Sequence, residues 1–321
     1  MNRRIVITGP RAAVVEQHPL PLPPPGSVRV ANTVSALSAG SEGLVWRGEM
    51  PEGLALDTVL PGYQDGFLYP ACYGYSAVGH IDAVGPGVEE SLLGRRVFTF
   101  TAHQSFCLVD QKELVFLPDS LSDDDAVFLA AMETAVCLVH DAAPVAGERV
   151  ALWGLGTVGL LTGSLLKKFP VSLTADDPLP LRRNAAEAAG FLVASPGPAS
   201  CDVALELSGN PMALSQALEA TTFSGRVVLG SWYGTKPIAL EMGGSFHRSR
   251  IQLLASQVST VSPELSGRWS KARRLEYALE CLQAVRPSRW ITHRFTPDHA
   301  CEAYRLAGEF PQDCLQVVFT F

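Results

Sequence analysis

Short apolar runs broken by glycine and proline fill the first 121 residues. "RIVIT", "SVRVANTVSAL", "SAVGHIDAVG", "RRVFTF" and "SFCLVD" have the β-branched, alternating character of strands, and the Gly and Pro clusters between them mark turns. The segment "PLPLPPPGSV" cannot be helical and is expected to run extended into the strand that follows. This pattern predicts a compact, irregular β-barrel or sandwich.

The period changes at "LSDDDAVFLAAMETAVCLVHDAAPVAGE". Ser122 is a candidate N-cap, three aspartates occupy the first turn, and a long apolar helix is expected to follow. Alternating units come next. "RVALW" reads as a buried strand, "GLGTVG" as a glycine turn and "LLTGSLLKK" as a helix. "VSLTADD" is a second strand, and "PLRRNAAEAAG" a second helix closed by Gly190. "DVALELSG", "GRVVLGSW" and "IQLLASQ" continue the series. Strand–helix alternation predicts a parallel sheet covered on both faces. The expected fold class is therefore α/β: a β-rich domain over 1–121 completed by the tail 290–321, and a doubly wound Rossmann domain over 122–289.

Composition narrows the partners. Net charge is −7 and Lys and Arg form no basic stripe, which argues against nucleic acid. No stretch approaches the roughly 18 apolar residues of a membrane span. "MNRRIVITGPRAAVVE" lacks the apolar core of a signal peptide, so a cytoplasmic protein acting on a small molecule is expected. The seven cysteines contain no C-x-x-C pair and read as free, mostly buried thiols.

The most specific signal is G-x-G-x-x-G as Gly154, Gly156 and Gly159, placed after a strand and opening a helix. The first glycine suits a tight turn, the second lets a pyrophosphate approach the backbone, and the third allows close helix–strand packing. Thr157 and Val158 begin the helix whose N–H groups would face the phosphates. Asp177 lies 18 residues after Gly159, where a carboxylate holds ribose hydroxyls and repels a 2′-phosphate. NAD is favoured on that ground, while Arg182 and Arg183 keep NADP open.

Taken in order, these segments resemble the medium-chain dehydrogenase/reductase superfamily, zinc alcohol dehydrogenase type, over the whole chain. "SALSAGSEGLVWRG" is similar to its C-G-T-D segment, "PACYGYSAVGHIDAVGPGV" to G-H-E-x-x-G, "LLGRRVF" to G-D-R-V, and "AGERVALWGLGTVGLL" to the cofactor run. The resemblance implies a GroES-like N-terminal domain and adds Ser208 and Gly209, in "LELSGN", to the cofactor-binding positions. It also implies a homodimer joined at Rossmann sheet edges, through "GRVVLGSW" to "IQLLASQ".

The departures bear on chemistry. The zinc cysteine of the family falls on Ala39, the zinc histidine on Tyr75 and the adjacent glutamate on Ser76. Neither a methyl nor a phenol replaces thiolate or imidazole as a zinc ligand. A third ligand position corresponds to Glu133, and the structural-zinc loop is missing. The chain resembles a zinc-lacking branch and, more narrowly, the bacteriochlorophyll-pathway hydroxyethyl dehydrogenases. Without zinc, a hydroxyl or imidazole must meet the developing oxyanion. Ser41 aligns with the family's proton-relay hydroxyl. Tyr75 is either a proton donor, given a lowered pKa or a relay, or an aromatic filling the vacated space. His103 is either an acid/base or a satisfied loop histidine. Glu133 either steers one of these or lies on a helix surface. The leading expectation is a zinc-independent NAD(P)-dependent alcohol/carbonyl oxidoreductase. A reductase of activated C=C bonds and a non-catalytic nucleotide-binding protein are the alternatives.

Overall fold

The computed structural model describes every residue except Glu52 and Pro61. Along the chain run β1 Asn2–Gly9, β2 Ala12–His18, β3 Ser27–Ala36, α1 Ser41–Arg47, β4 Ala77–Val84, β5 Arg96–Thr99, β6 Phe106–Asp110 and β7 Val115–Phe116. They are followed by α2 Asp123–Ala126, α3 Leu129–Ala142, β8 Arg149–Trp153, α4 Thr157–Leu166, β9 Ser172–Asp176, α5 Pro180–Ala188, β10 Leu192–Val193 and β11 Cys201–Glu206. The remainder is α6 Pro211–Ala220, β12 Thr221–Leu229, β13 Gln252–Ala255, α7 Lys271–Val285, β14 Ile291–Phe295, α8 Ala300–Glu309 and β15 Gln316–Thr320. The chain divides into two compact units, Met1–Ala130 with Leu282–Phe321, and Ala131–Cys281.

In the first unit a seven-stranded sheet has the order β14-β15-β3-β4-β5-β7, with β6 also paired to β3, and β1 and β2 form a separate hairpin. Alternation along β3 places Val28 and Val30 in a core with Ile81, Val97, Cys107 and Val109. The last strand, β15, pairs antiparallel with β3.

The long helix expected after Ser122 is two helices. Ser122 Oγ caps α2 by accepting from the Asp125 N–H, but α2 ends after one turn and α3 starts at Leu129. The three aspartates are held by neighbours within the unit. Asp123 accepts from Thr33 and Arg96, Asp124 from Arg294, and Asp125 from the Ser288 N–H. At the break, the Val127 carbonyl accepts from Ser76 Oγ at 2.6 Å.

The second unit contains a six-stranded sheet of order β10-β9-β8-β11-β12-β13, every neighbour parallel. In sequence this is third, second, first, fourth, fifth, sixth, the doubly wound order whose ligand crevice lies at the carboxyl ends of the strands. Burial on both faces explains the unbroken apolar runs: Val150–Leu152 and Val203–Leu205 are 1% exposed or less. Among the described residues no helix is long and apolar enough to cross a membrane.

Candidate active site

The glycine turn follows β8 in the second unit. Gly154 has φ +96°, and a Cβ there would meet the Leu207 and Ser208 backbone at 2.7 Å. A Cβ on Gly159 would fall 1.9 Å from the Gly154 carbonyl oxygen. Both glycines are therefore required by the protein's own packing. Gly156 is different. Its φ is −69°, which any residue adopts, and a Cβ would come no closer than 3.9 Å to another atom, the Arg182 guanidinium. Gly156, Thr157 and Val158 are partly exposed between buried Leu155 and Gly159. The space over Gly156 suits a pyrophosphate lying close to the backbone.

Asp177 sits directly behind this turn, 2% exposed. One carboxylate oxygen accepts from the Leu155 N–H at 2.8 Å and the other from the Leu179 N–H at 2.9 Å. Arg182 stands 3.5 Å away. Asp176, at the end of β9, is engaged by Arg183 and by Ser195 Oγ. At the end of β11, buried Glu206 organises Ser208 and Gly209, accepting from the Ser208 N–H at 2.7 Å, the Gly209 N–H at 3.1 Å and the Tyr233 hydroxyl at 2.9 Å. Burial, and after it the Glu206 charge, raises the Tyr233 pKa.

In the first unit, three hydroxyls converge. Tyr75 donates to Ser38 Oγ at 2.7 Å and approaches Ser41 Oγ at 3.3 Å. All three residues are partly exposed, beside exposed Ala39 and Gly40. Each serine hydroxyl receives a hydrogen bond and retains its own proton to donate. Burial raises the Tyr75 pKa, against the lowering effect of the two serine hydrogen bonds, so a lowered phenol pKa is not available here.

Behind the hydroxyls lies a buried polar cluster. Glu42 and His103 are both fully inaccessible. Glu42 accepts from the Ser38 N–H at 2.8 Å, the Tyr304 hydroxyl at 3.0 Å and His103 Nε2 at 2.8 Å. A carboxylate acceptor places the proton on Nε2, and Ser35 Oγ pairs with Nδ1 at 2.7 Å. Gly74, at φ +133°, gives the imidazole room: a Cβ there would lie 2.8 Å from the ring. The opposite wall is Tyr304, stacked on Trp46 at 5.5 Å. His103 thus contacts Glu42 and Ser35 and has no exposed face.

Glu133 is not a helix-surface carboxylate. It is 4% exposed and paired with equally buried Arg274, whose guanidinium donates to Glu133 Oε1 at 2.9 and 3.1 Å. Other Arg274 donors reach the Val258 and Thr260 carbonyls. Glu133 therefore tethers α3 to α7 within the second unit. Sequence reasoning missed Ser38, Glu42 and Tyr304. A signal existed for Glu42, an acidic residue between Ser41 and the apolar run Leu44–Trp46. None existed for Tyr304, 262 residues away.

No family model matches the chain. It is 27% identical over 203 residues to the (R,R)-butanediol dehydrogenase of Bacillus subtilis, covering 50% of this chain and 59% of that relative. It is 26% identical over 348 residues to the 2-desacetyl-2-hydroxyethyl bacteriochlorophyllide A dehydrogenase of Cereibacter sphaeroides, covering 98% and 96%. The crystal structure of the Bacillus subtilis 2R,3R-butanediol dehydrogenase superposes over 100% of both chains with TM-score 0.81 at 19% identity. In sequence and fold the chain is similar to medium-chain dehydrogenase/reductases, zinc-type alcohol dehydrogenase-like proteins among them. In fold the first unit resembles a GroES-like domain and the second a Rossmann domain. An Escherichia coli RspB structure complexed with NADH matches with TM-score 0.79, 20% identity and 100% and 99% coverage. A Sinorhizobium meliloti zinc-binding dehydrogenase bound to NADP matches with TM-score 0.78, 16% identity and 100% and 99% coverage.

The Sinorhizobium meliloti neighbour is called zinc-binding; in this chain the hydroxyl cluster contains a phenol at Tyr75 beside the methyl of Ala39. Among the described residues no group of three or more His, Cys, Asp or Glu side chains is arranged to hold a metal ion. The donor set at this place consists of neutral hydroxyls, which fit a catalytic zinc poorly.

Proposed function

We propose that the chain is an NAD(P)-dependent oxidoreductase interconverting an alcohol and a carbonyl compound without zinc. A bound nicotinamide would supply or accept the hydride. The observation that carries the reading is the convergence of Tyr75, Ser38 and Ser41 where the family places its metal. Ser38 and Ser41 offer O–H donors to a carbonyl oxygen as negative charge develops on it, the task otherwise met by a Lewis acid. Tyr75 acts through Ser38: as the serine proton moves to the substrate oxygen, the phenol proton follows to Ser38 Oγ. Since burial holds the Tyr75 proton tightly, the phenol is a reservoir refilled from solvent rather than a standing phenolate. Glu42 fixes this arrangement through the Ser38 N–H. Gly154, Gly156, Gly159 and the first turn of α4, with Thr157 and Val158, would hold the pyrophosphate, supported by the Ser208–Gly209 turn. The (R,R)-butanediol and hydroxyethyl bacteriochlorophyllide dehydrogenases support the substrate class, a secondary alcohol or its ketone.

The test combines metal analysis with hydride transfer. Purified protein treated with a chelator should retain turnover of deuterium-labelled NAD(P)H with a panel of ketones. Ser38→Ala, Ser41→Ala and Tyr75→Phe should each lower kcat by about 10²-fold while cofactor binding persists. Stoichiometric zinc whose removal abolishes turnover would overturn the metal-free reading. Full turnover in all three variants would overturn the role of the hydroxyls, and indifference to Tyr75→Phe alone would point to C=C reduction.

A further inference from the structure

Arg182 differs from the other well-shielded arginines of the second unit. Its side chain is 20% exposed, yet its guanidinium makes no hydrogen bond among the described residues, and its buried Nε has no partner. Among the described residues its one ion-pair partner is Asp177, at 3.5 Å. Comparably shielded Arg226 and more deeply buried Arg274, in the same unit, are saturated. Arg226 donates to Glu148 and to the Ala142 and Ala143 carbonyls, and Arg274 to Glu133, Val258 and Thr260. A guanidinium carries five donors, and a buried one left unpaired, as Arg182 Nε is, is costly unless a ligand accepts it.

The position of this unsatisfied group is informative. Arg182, in the first turn of α5, lies over Gly156 and beside Asp177, which directly follows the second strand of the doubly wound sheet. That strand end is where an adenosine ribose is read: an accessible carboxylate there selects hydroxyls, and an arginine accommodates a 2′-phosphate. The carboxylate here is hardly accessible. Both Asp177 oxygens accept backbone N–H groups, and the charge faces Arg182. Neighbouring Asp176 is turned to Arg183 and Ser195. Asp176 and Arg182 are similarly exposed here, but Asp176 is already engaged, so the donors left without a protein partner at this corner are those of Arg182.

We infer that Arg182 is the residue that reads the ribose 2′-position, and that the chain binds NADP(H) in preference to NAD(H). The inference rests on the proposed nicotinamide cofactor and reverses the preference that Asp177 suggests when read from sequence alone. Asp177 becomes a positioning residue: it holds the Leu155 N–H of the glycine turn and orients Arg182. A phosphate at the 2′-position would take two or more of the free Arg182 donors in a bidentate, charge-assisted contact.

The experiment is equilibrium titration of the full chain with NADPH and NADH, read by nicotinamide fluorescence. NADPH should bind about tenfold or more tighter, the size expected of a charge-assisted pair. Arg182→Ala should weaken NADPH by about tenfold or more and NADH by less than about threefold, and Arg182→Lys should keep part of the NADPH advantage. In the unmodified protein, 2′,5′-ADP should displace NADPH better than 5′-AMP does, with an advantage that shrinks as salt rises. Equal or tighter NADH binding by the unmodified protein overturns the inference even if no variant folds. Equal weakening of both cofactors by Arg182→Ala would assign the arginine to the shared pyrophosphate and also overturn it. Binding of neither cofactor would instead reject the nicotinamide reading itself, a result distinct from a reversed preference.

Discussion

Glu42 in the first unit and Glu206 in the second are both completely buried carboxylates, and each shapes a turn that carries candidate functional residues. They are kept in the interior by different means. Glu42 relies on side chains from far along the chain, His103 and Tyr304, together with one backbone N–H. Glu206 has no cation within salt-bridge distance among the described residues. Two backbone N–H groups and a hydroxyl come from within three residues, and Tyr233 adds one more donor. A buried charge can thus be satisfied by tertiary assembly or largely by the local turn that it organises. The first solution makes the Ser38–Ser41 turn depend on residues across the whole unit; the second relies on the turn's own donors, with Tyr233, Ser231 and Lys236 adding contacts from the next strand's end.

The largest effect should come from breaking the long-range cluster. His103→Leu leaves Glu42 without its imidazole, and we expect a loss of about 3–5 kcal/mol in chemical denaturation. Tyr233→Phe removes one of several donors to Glu206 and should cost about 1.5–3 kcal/mol at most. Equal costs would mean that the two carboxylates are held alike after all.

Alkaline pH should separate the units next. Burial raises the pKa of Tyr63, Tyr73, Tyr75 and Tyr304 in the first unit, and of Tyr233 in the second. For a raised pKa the unfolded chain loses its proton first, so the native state binds more protons and stability falls as pH rises. It should be level through neutral pH and decline above about pH 10, by up to about 1.4 kcal/mol per pH unit for each tyrosine. Tyr63→Phe should flatten that slope. An unchanged profile in this variant would show that its phenol is not held in the protonated form.

The smallest effect on stability is expected at Gly156. Gly156→Ala meets no atom closer than 3.9 Å and should change unfolding by less than about 0.5 kcal/mol, while nicotinamide binding weakens by tenfold or more. Gly159→Ala, aimed at the Gly154 carbonyl 1.9 Å away, should destabilise the second unit itself. A thermal melt beside a binding titration separates the two cases.

The sequence alone determined the parallel sheet and the placement of the glycine turn between β8 and α4. These features rest on local periodicity and residue identity, which survive without contacts. The break between α2 and α3 was not legible, because the aspartates that end the first turn are drawn to Arg96, Arg294 and the Ser288 N–H, two of them more than 160 residues away. Only tertiary structure joined Glu42 to His103 and Tyr304, placed Glu133 against Arg274, and set Ser38 beneath the Tyr75 hydroxyl. It also decided the state of Asp177. A carboxylate at that spacing reads as a ribose ligand until its two oxygens are found on backbone N–H groups, with Arg182 left beside it holding the unspent donors. Residue type sets what a group can do; burial and partners, assembled from distant parts of the chain, decide which of those capacities stays free.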